Sequence, residues 1–401
     1  MTTALRSSRD ALVLSGGGAK GAYEVGVLKA LVNGLCPATG RQRLELDIFS
    51  GTSVGAFNAS FLVARAGLPA VAAVDELEEV WRRRIAERPG RCGNGVFRVR
   101  GTPLDYVDPS CLARPFERFT EAAVDAGFWA RYLAVRGSAF LGSSDGLRTR
   151  FLRTLNLASL FSPEPFHRLI RDTIRRRDLR ASEKTLVVAA TNWRDGTVEL
   201  FSKRDLVDRV GPEGIAASAS IPGIFPPVEI DGVPYHDGAV LLNTPLKPAI
   251  EAGADVIHVI YLDPEVADVP LRKVPNTLDT TYRMFLITSS ALVNQDIAFA
   301  ESIERELEIH RELGLVSEEM TELASEDARP GANSRVLRRL AEGRPYRPLT
   351  IHRYRPRSDF GGGAGLLDFR LRSIEQLIDA GFEDAKGHDC EKQGCVLPRQ
   401  P

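Results

Sequence analysis

The chain alternates between two kinds of segment from residue 11 to about residue 265. Short continuous apolar runs, typical of buried strands, alternate with longer stretches in which apolar residues recur at helical spacing. The runs that predict strands are ALVLS (11–15), LELDIFS (44–50), KTLVVAATNW (184–193), TVELFSK (197–203) and DVIHVIYLDP (255–264). Strands that alternate with helices form parallel sheets covered on both faces. The pattern therefore predicts an α/β fold with three layers and a mostly parallel central sheet.

Helical periodicity and breaker residues place helices between these strands and after them. The predicted helices are GAYEVGVLKALVNGL (21–35), AFNASFLVARAG (56–67), DELEEVWRRRIAERPG (75–90), GIAASASIPGIFPP (214–227), residues 281–313 and SIEQLIDAGFEDA (373–385). The Asp231-Gly232 pair inside PVEIDGVPYHDGAV indicates a hairpin turn. A last strand is predicted at PLTIHRYRP (348–356).

The chain is predicted to hold one large domain, residues 10–386, between two tails. Residues 1–9 form the N-terminal tail. Within the domain, residues 91–160 mix glycines with aromatic residues and are interpreted as a variable lid or insert, whereas 266–386 form a C-terminal helical part with the last strand. Residues 387–401 have few apolar positions and are predicted to be a disordered tail.

Composition and charge are ordinary for a globular protein and exclude several classes. Of 401 residues, 43% are hydrophobic and 26% are charged, and the formal net charge is −1. Since there is no basic excess, we expect no nucleic-acid partner. The N-terminus lacks the apolar core of a signal peptide, and no apolar run approaches the roughly 18 residues of a membrane span. We therefore expect a cytoplasmic protein.

The cysteines argue against a disulfide framework and a metal centre. There are five of them, an odd number, and no pair has the C-x-x-C spacing. They are Cys36, Cys92, Cys111, Cys390 and Cys395. Such usage is typical of a reducing compartment, and we expect no metal site and no cofactor.

Ser53 is the first candidate for chemistry. It lies in GTSVG (51–55), a G-x-S-x-G motif that directly follows a predicted strand and precedes a predicted helix. This is the sequence form of a nucleophile elbow, in which a tight turn presents a serine above the sheet. Gly51 and Gly55 would relieve crowding in that turn. The alternative is a glycine-rich turn with an incidental serine, and one short motif does not decide between them.

A second glycine-rich loop, GGGAKG (16–21), follows the first predicted strand and allows two interpretations. It matches G-x-G-x-x-G, so a nucleotide-dependent oxidoreductase that binds a dinucleotide there is one alternative. In a hydrolase, the amides around Gly17, Gly18 and Ala19 would instead stabilise the negative charge on an acyl oxygen. We expect Lys20 to anchor this loop. Ala22 and Tyr23 follow the last glycine, which excludes a P-loop.

The chain offers no convincing histidine as a general base. Ser53, Asp263 and His352 occur in the order of an α/β-hydrolase triad, but the surroundings of His352 give no support. Asp237 follows a strand of the predicted hairpin, where site residues gather, and a buried aspartate can accept a serine proton directly. The alternative for Asp237 is a plain Asp-Gly turn. His236 is its neighbour in a strand and so points to the opposite face.

Taken together, the motifs resemble those of the patatin-like phospholipase family. The matching pieces are GGGAKG (16–21), GTSVG (51–55) and DGA (237–239), in that order, and ASASIPGIFPPVEIDG (217–232) is similar to the stretch before the family's aspartate. The resemblance covers roughly residues 10 to 265 and is expected to continue to about residue 385. It departs from the family at Ser15, where some members have Asp, and at Ala239, which replaces the commoner Gly.

The resemblance implies a three-layer patatin-like fold and a lipid acyl hydrolase of the phospholipase A or lysophospholipase type. Ser53 would be the nucleophile and Asp237 the base of a Ser-Asp dyad. The implied oxyanion hole comprises Gly16, Gly17, Gly18 and Ala19, and the supporting motif positions are Lys20, Gly21, Gly51, Gly55 and Gly238. We expect a phospholipid or other acyl-lipid substrate and transient peripheral contact with membranes. An inactive interaction module with the same fold is a further alternative.

Overall fold

A mixed sheet of eight strands forms the centre of this computed structural model. The structure describes residues 8–39, 44–87, 95–99, 115–142, 161–269, 277–312 and 349–397. The strands are β1 (Asp10–Leu14), β2 (Leu46–Thr52), β3 (Arg98–Val99), β4 (Phe161–Ser162), β5 (Thr185–Asn192), β6 (Thr197–Ser202), β7 (Val228–Ile230), β8 (Val233–Asp237), β9 (Val256–Ile260) and β10 (Thr350–Tyr354). Strands β3 and β4 form a separate two-stranded sheet.

The central sheet has the order β10-β9-β1-β2-β5-β8-β7, and β6 pairs with β5 beside this path. The pairings from β10 through β5 are parallel, as predicted. Strands β6, β7 and β8 pair antiparallel, which makes the sheet mixed. The antiparallel part arises because short turns, at Asp195-Gly196 and at Asp231-Gly232, connect consecutive strands. Asp231 and Gly232 have φ values of 52° and 72°.

Helices alternate with the strands along the chain and pack on both faces of the sheet. They are α1 (Gly21–Val32), α2 (Val54–Ala64), α3 (Ala70–Val80), α4 (Pro115–Gly142), α5 (Glu164–Thr173), α6 (Arg176–Ala181), α7 (Lys203–Asp208), α8 (Pro212–Ser218), α9 (Leu246–Glu251), α10 (Thr277–Glu312), α11 (Gly362–Gly365), α12 (Leu371–Lys386) and α13 (Cys390–Gln393). Helix α3 continues into a π-helical turn at Trp81–Ile85. In the part of the chain that the structure describes, no helix is long and apolar enough to cross a lipid bilayer.

Strand β1 shows how the two faces of the sheet are buried. Leu12 and Leu14 pack into a large core with α1, α2 and α12. Ala11 and Val13, which point the other way, pack into a second core with α9 and part of α10. All four side chains are fully buried. This arrangement confirms the predicted α/β fold with helices on both faces of the sheet.

The C-terminal segment differs from its sequence prediction. The sequence predicts a disordered tail from residue 387, whereas the structure is described up to residue 397. Asp389 caps the short helix α13, and Val396 pairs with Ile351 of β10 through two backbone hydrogen bonds. The pairing of Val396 with Ile351 joins residues far apart in sequence, which local composition does not reveal.

Part of the predicted lid or insert lies outside the described residues. The parts of this segment that are not described are residues 91–94, 100–114 and 143–160. Residues 313–348, further along the chain, are not described either. The described portions of 91–160 are 95–99, which includes β3, and helix α4. The proposed boundaries of the lid or insert therefore stay a prediction.

Candidate active site

Ser53 occupies a sharp turn between strand β2 and helix α2. Its φ of 55° and ψ of −123° are rare for a residue with a side chain, as expected of a nucleophile elbow. A Cβ atom on Gly51 would collide with the carbonyl oxygen of Gly55, and one on Gly55 would collide with the carbonyl oxygen of Leu14. The two motif glycines therefore allow α2 to start directly above the sheet.

Asp237 ends strand β8 and lies next to Ser53. The sheet brings the two together through β5, in which Ala189 pairs with Thr52 and Ala190 pairs with Asp237. The Ser53 hydroxyl donates a hydrogen bond of 2.6 Å to Oδ2 of Asp237. Ser53 is only 4% exposed and Asp237 2%. The candidate nucleophile and the candidate carboxylate base thus lie side by side, buried and joined by a hydrogen bond.

The surroundings of the Asp237 carboxyl fix its orientation and its proton affinity. Its Oδ1 accepts a hydrogen bond of 2.8 Å from the backbone N–H of Ala239. Burial raises the pKa of Asp237 from its usual 3.8 to about 7, although the hydrogen bonds from Ser53 and Ala239 act to lower it. A carboxyl with such a pKa can both accept and return a proton near neutral pH.

The glycine-rich loop after β1 lies against Ser53. A Cβ atom placed on Gly16 would lie 3.0 Å from Cβ of Ser53. The Gly16 N–H already donates to Asn243, and the Ala19 N–H donates to the carbonyl oxygen of Leu366 at 2.9 Å. Two of the four predicted oxyanion donors are therefore engaged elsewhere.

The backbone N–H groups of Gly17 and Gly18 have no hydrogen-bond acceptor among the described residues. Gly18 and Ser53 line the same pocket. An oxyanion that forms at Ser53 would give these two amides an acceptor. The structure thus narrows the candidate oxyanion donors to these two amides.

Lys20 anchors the glycine-rich loop through buried contacts of its ammonium group. Its side chain is fully buried, and its Nζ lies 2.7 Å from Oδ1 of Asp263 and 3.8 Å from Oδ1 of Asp359. The ammonium also donates to the hydroxyl of Tyr282 at 2.6 Å. The carboxylates neutralise the buried charge, so the contacts agree with an anchoring role for Lys20. The further motif glycines, Gly21 and Gly238, have no room for a side chain.

The family model for patatin-like phospholipases matches residues 12–250, more than half of the chain. The protein belongs to the patatin-like phospholipase family. This membership places it among the lipid acyl hydrolases in general. The matched residues include the glycine loop, the elbow and the Asp237 turn, and the comparisons do not favour a dinucleotide-binding protein.

A search of solved structures finds a distant similarity to this chain. Among solved structures, VipD from Legionella pneumophila matches with 15% sequence identity and a TM-score of 0.32. The match covers 93% of this chain and 67% of that chain. No curated protein matches this chain.

Three side chains that the sequence analysis missed support the patatin site. Ser218 accepts a hydrogen bond of 2.8 Å from the Ser53 N–H and donates to the carbonyl oxygen of Ala189. Asn243 holds Gly16, and Thr191 donates to the backbone carbonyl of Asp237 at 2.8 Å. These residues carry no motif of their own, although Ser218 lies in the ASAS stretch that resembles the family.

The alternative triad of Ser53, Asp263 and His352 is not assembled in the structure. Asp263 is paired with Lys20. His352 lies in β10, where its ring stacks on His258 with a centroid distance of 5.3 Å. His236, the neighbour of Asp237, contacts Trp193 and the carbonyl oxygen of Ser220 instead of Ser53.

A largely apolar pocket opens onto Ser53. Its lining includes Trp81, Phe166, Phe225 and Phe369. Phe97, one of the aromatic residues in the predicted lid or insert, has its ring centroid 6.0 Å from that of Phe225. Other aromatic positions of this segment, such as Tyr106, lie outside the described residues. The pocket gives the patatin domain an apolar chamber next to the serine.

Proposed function

We propose that this protein hydrolyses a carboxylic ester of an acyl lipid, with phospholipids as the substrate class. Ser53 is the nucleophile and Asp237 the general base in this proposal. The observation that carries it is the buried hydrogen bond of 2.6 Å between the two side chains. Family membership supports the reaction class, and the apolar pocket suits an acyl chain.

Acylation begins when the Ser53 oxygen attacks the ester carbonyl while its proton passes to Asp237. The carbonyl π electrons move onto the oxygen, which the N–H groups of Gly17 and Gly18 stabilise. When the tetrahedral intermediate collapses, the ester C–O bond breaks and the proton on Asp237 goes to the departing alkoxide. The products of this half-reaction are an alcohol, such as a lysophospholipid, and an acyl-serine.

Deacylation repeats the same proton movements with water. The water oxygen attacks the carbonyl carbon of the acyl-serine while Asp237 accepts a proton from that water. The Gly17 and Gly18 amides again stabilise the oxyanion. The bond between Ser53 and the acyl group then breaks, and Asp237 returns the proton to the serine. A fatty acid leaves and the enzyme is restored without a cofactor.

Helix α4 supports an extension of the proposal to transient membrane contact. Phe128 and Trp129 are half-buried and pack edge to face, with ring centroids 5.6 Å apart. Val124 and Leu133 on the same helix are 64% and 65% exposed. Exposed apolar side chains beside aromatic rings favour insertion into a lipid interface.

The catalytic proposal is tested with purified protein on phospholipid vesicles and on a short-chain nitrophenyl ester. We expect Ser53→Ala to lose at least about 10³-fold in kcat/KM, because no other group forms the acyl intermediate. Asp237→Asn should lose about 10²- to 10⁴-fold, because the amide accepts no proton.

Asp231→Asn is the matched control, since Asp231 is an exposed residue of the hairpin turn before β8. It should keep wild-type rates on both substrates. Wild-type rates in Ser53→Ala would overturn the proposal, and so would an equal loss in Asp231→Asn and Asp237→Asn.

A further inference from the structure

Four metal-ligating side chains meet at the edge of the sheet formed by β10. Two histidines and two cysteines place their ligand atoms within 4.8 Å of one another. This histidine–cysteine cluster comprises His352, His388, Cys390 and Cys395. The first residue lies within β10, and the other three lie in the C-terminal segment that follows α12. The sequence analysis expected scattered cysteines and no metal site, whereas the fold brings Cys390 and Cys395 together.

The spacing within the cluster is that of a tetrahedral site. Sγ of Cys390 lies 3.5 Å from Nδ1 of His352 and 3.6 Å from Nε2 of His388, and Sγ of Cys395 lies 3.4 Å from the same Nε2. Zinc bonds of about 2.3 Å to sulfur and about 2.1 Å to nitrogen would separate neighbouring sulfur and nitrogen ligands by roughly 3.6 Å in a tetrahedron. Three of the six pairs of ligand atoms thus have the separation that a zinc tetrahedron requires, and all four atoms lie within 4.8 Å of one another.

Sequence spacing agrees with this geometry. Cys390 and Cys395 are separated by four residues, within the range of zinc-binding cysteine pairs, and His388 precedes Cys390 by two positions. The C-x-x-C pattern, which the chain lacks, is too narrow a criterion for such a site. His352 is 36 positions earlier than His388, so its participation follows from the fold alone.

The surroundings of the cluster hold its ligands in place. The backbone N–H of Arg353 donates a hydrogen bond of 3.3 Å to Sγ of Cys395, the kind of outer contact that orients a metal ligand. The ring of Tyr354 packs against that of His388, with centroids 4.5 Å apart. His352 is stacked on His258 of β9 on its other side. Both histidines of the cluster are more than nine-tenths buried.

We propose that the histidine–cysteine cluster binds one structural zinc ion. Two neutral imidazoles and two thiolates occupy all four positions of a tetrahedron, which leaves no open position for catalysis. Binding forms two Zn–S and two Zn–N bonds and releases the two thiol protons to solvent, without any change of oxidation state. Soft thiolates with imidazoles favour zinc over the harder divalent cations.

The zinc ion would tie the C-terminal segment to the sheet. This segment pairs with the outer side of β10 through Val396 and follows α12 directly. Helix α12 packs so closely on α1 that a Cβ atom on Gly26 would collide with the carbonyl oxygen of Ile378. Since α1 starts at the glycine loop, the metal would stabilise the shell that supports the site without contacting Ser53.

The first test measures metal content and ligand identity in the full-length wild-type chain. We expect about one zinc per chain by elemental mass spectrometry after purification under reducing conditions with zinc supplied. X-ray absorption should show two sulfur neighbours at about 2.3 Å and two nitrogen neighbours at about 2.1 Å. The cobalt-substituted protein should show the thiolate-to-metal charge-transfer band and the visible bands of tetrahedral Co(II). Less than stoichiometric zinc, or a first shell without sulfur, would overturn the proposal.

The second test uses variants. Cys390→Ser combined with Cys395→Ser should lose the zinc, whereas Cys36→Ser should keep it, since Cys36 lies outside the cluster. A strong chelator should lower the Tm of the wild type and of Cys36→Ser but not that of the double variant. Full zinc in the double variant would contradict the assignment, as would a Cys390–Cys395 disulfide in metal-treated, reduced protein. Ser53→Ala should retain zinc, so this outcome is independent of the catalytic proposal.

Discussion

At the scale of single residues, the site depends on a carboxyl that is removed from water. Asp237 is almost completely buried, and its two oxygens are held by Ser53 and by the N–H of Ala239. Desolvation outweighs both hydrogen bonds and raises its pKa to about 7. The proton affinity of the proposed base thereby comes close to that required for transfer near neutral pH.

This pKa predicts the pH dependence of the reaction. Because only the carboxylate of Asp237 accepts the Ser53 proton, kcat/KM should rise about tenfold per pH unit below pH 7 and level off above it. The measurement is a pH profile on a short-chain ester whose own ionisation is constant in this range. A profile that stays flat down to pH 5 would contradict the role of Asp237 as the base.

The raised pKa of Asp237 affects stability in the opposite direction to activity, because stability falls as the pH rises. The folded protein keeps a proton on Asp237 that the unfolded chain releases above its usual pKa of 3.8. The contribution of this group to the free energy of unfolding is therefore full below about pH 4 and is lost as the pH rises through about 7. Asp237→Asn removes this titration. Its stability relative to wild type, from urea unfolding, should improve between pH 5 and pH 8, and an unchanged difference would contradict the shift.

Lys20 is predicted to contribute more to the free energy of unfolding than an exposed lysine does. Lys20→Met leaves Asp263 and Asp359 with an unbalanced negative charge beneath the glycine loop, at a cost of about 3–5 kcal/mol in the free energy of unfolding. Lys29→Met is the control, because Lys29 pairs with Glu78 while partly exposed and should cost less than about 1 kcal/mol. Chemical denaturation measures both, and equal losses would refute the anchoring role.

The sequence revealed those site residues that a backbone turn makes recognisable. Ser53 and Asp237 lie in glycine-containing turns after strands, where little else fits, and so the motifs pointed to them. Ser218 and Asn243 act through hydrogen bonds across long sequence separations, and no local pattern marks them. The hydrogen-bonding state of the Gly16 and Ala19 amides could not be predicted either, because it depends on which distant carbonyl and side chain reach the loop.

At the scale of elements, the apolar runs predicted the strands and the parallel pairing from β10 through β5, but not the order of the strands in the sheet. Strands β1, β2, β5 and β9 are largely apolar and largely buried, as parallel strands covered on both faces should be. Strand β6 pairs antiparallel with β5, and β8 with β7, because tight turns connect the strands of each pair. The C-terminal segment was missed for a related reason, since its pairing with β10 and its cluster of ligands depend on tertiary contacts.

Helix α4 carries a prediction about the lipid interface. Replacing Phe128 and Trp129 together with Ser should reduce the rate on phospholipid vesicles by about tenfold, because it removes apolar area that partitions into the interface. The rate on a water-soluble short-chain ester should stay at the wild-type value. The measurement is the ratio of the two rates, with far-ultraviolet circular dichroism to confirm that the variant is folded.

The control for this helix changes two exposed apolar residues elsewhere. Val198 and Leu200 on β6 are 38% and 40% exposed, and their replacement with Thr should leave the ratio unchanged. If both double variants give the wild-type ratio, α4 does not contact lipid in the reaction.

At the scale of the whole molecule, the sheet assembles a site from residues 184 positions apart. Strands β1 and β2 end side by side, so the glycine loop and the elbow lie at one edge. Strand β5 then brings β8 and Asp237 to the same place. Two cores hold this sheet, and the proposed zinc ion lies beyond them at the β10 edge. Chemistry and structural reinforcement are thus assigned to different parts of one fold.

The most direct test of the account is covalent labelling with a fluorophosphonate, since it requires the elbow, the oxyanion donors and the base together. The Ser53 oxygen should displace fluoride and form one phosphonyl adduct, which peptide mapping by mass spectrometry locates. The adduct should be absent from Ser53→Ala, slow to form in Asp237→Asn and unchanged in Ser60→Ala, a buried serine of α2. No adduct on the folded wild type, or one on another residue, would contradict the central claim.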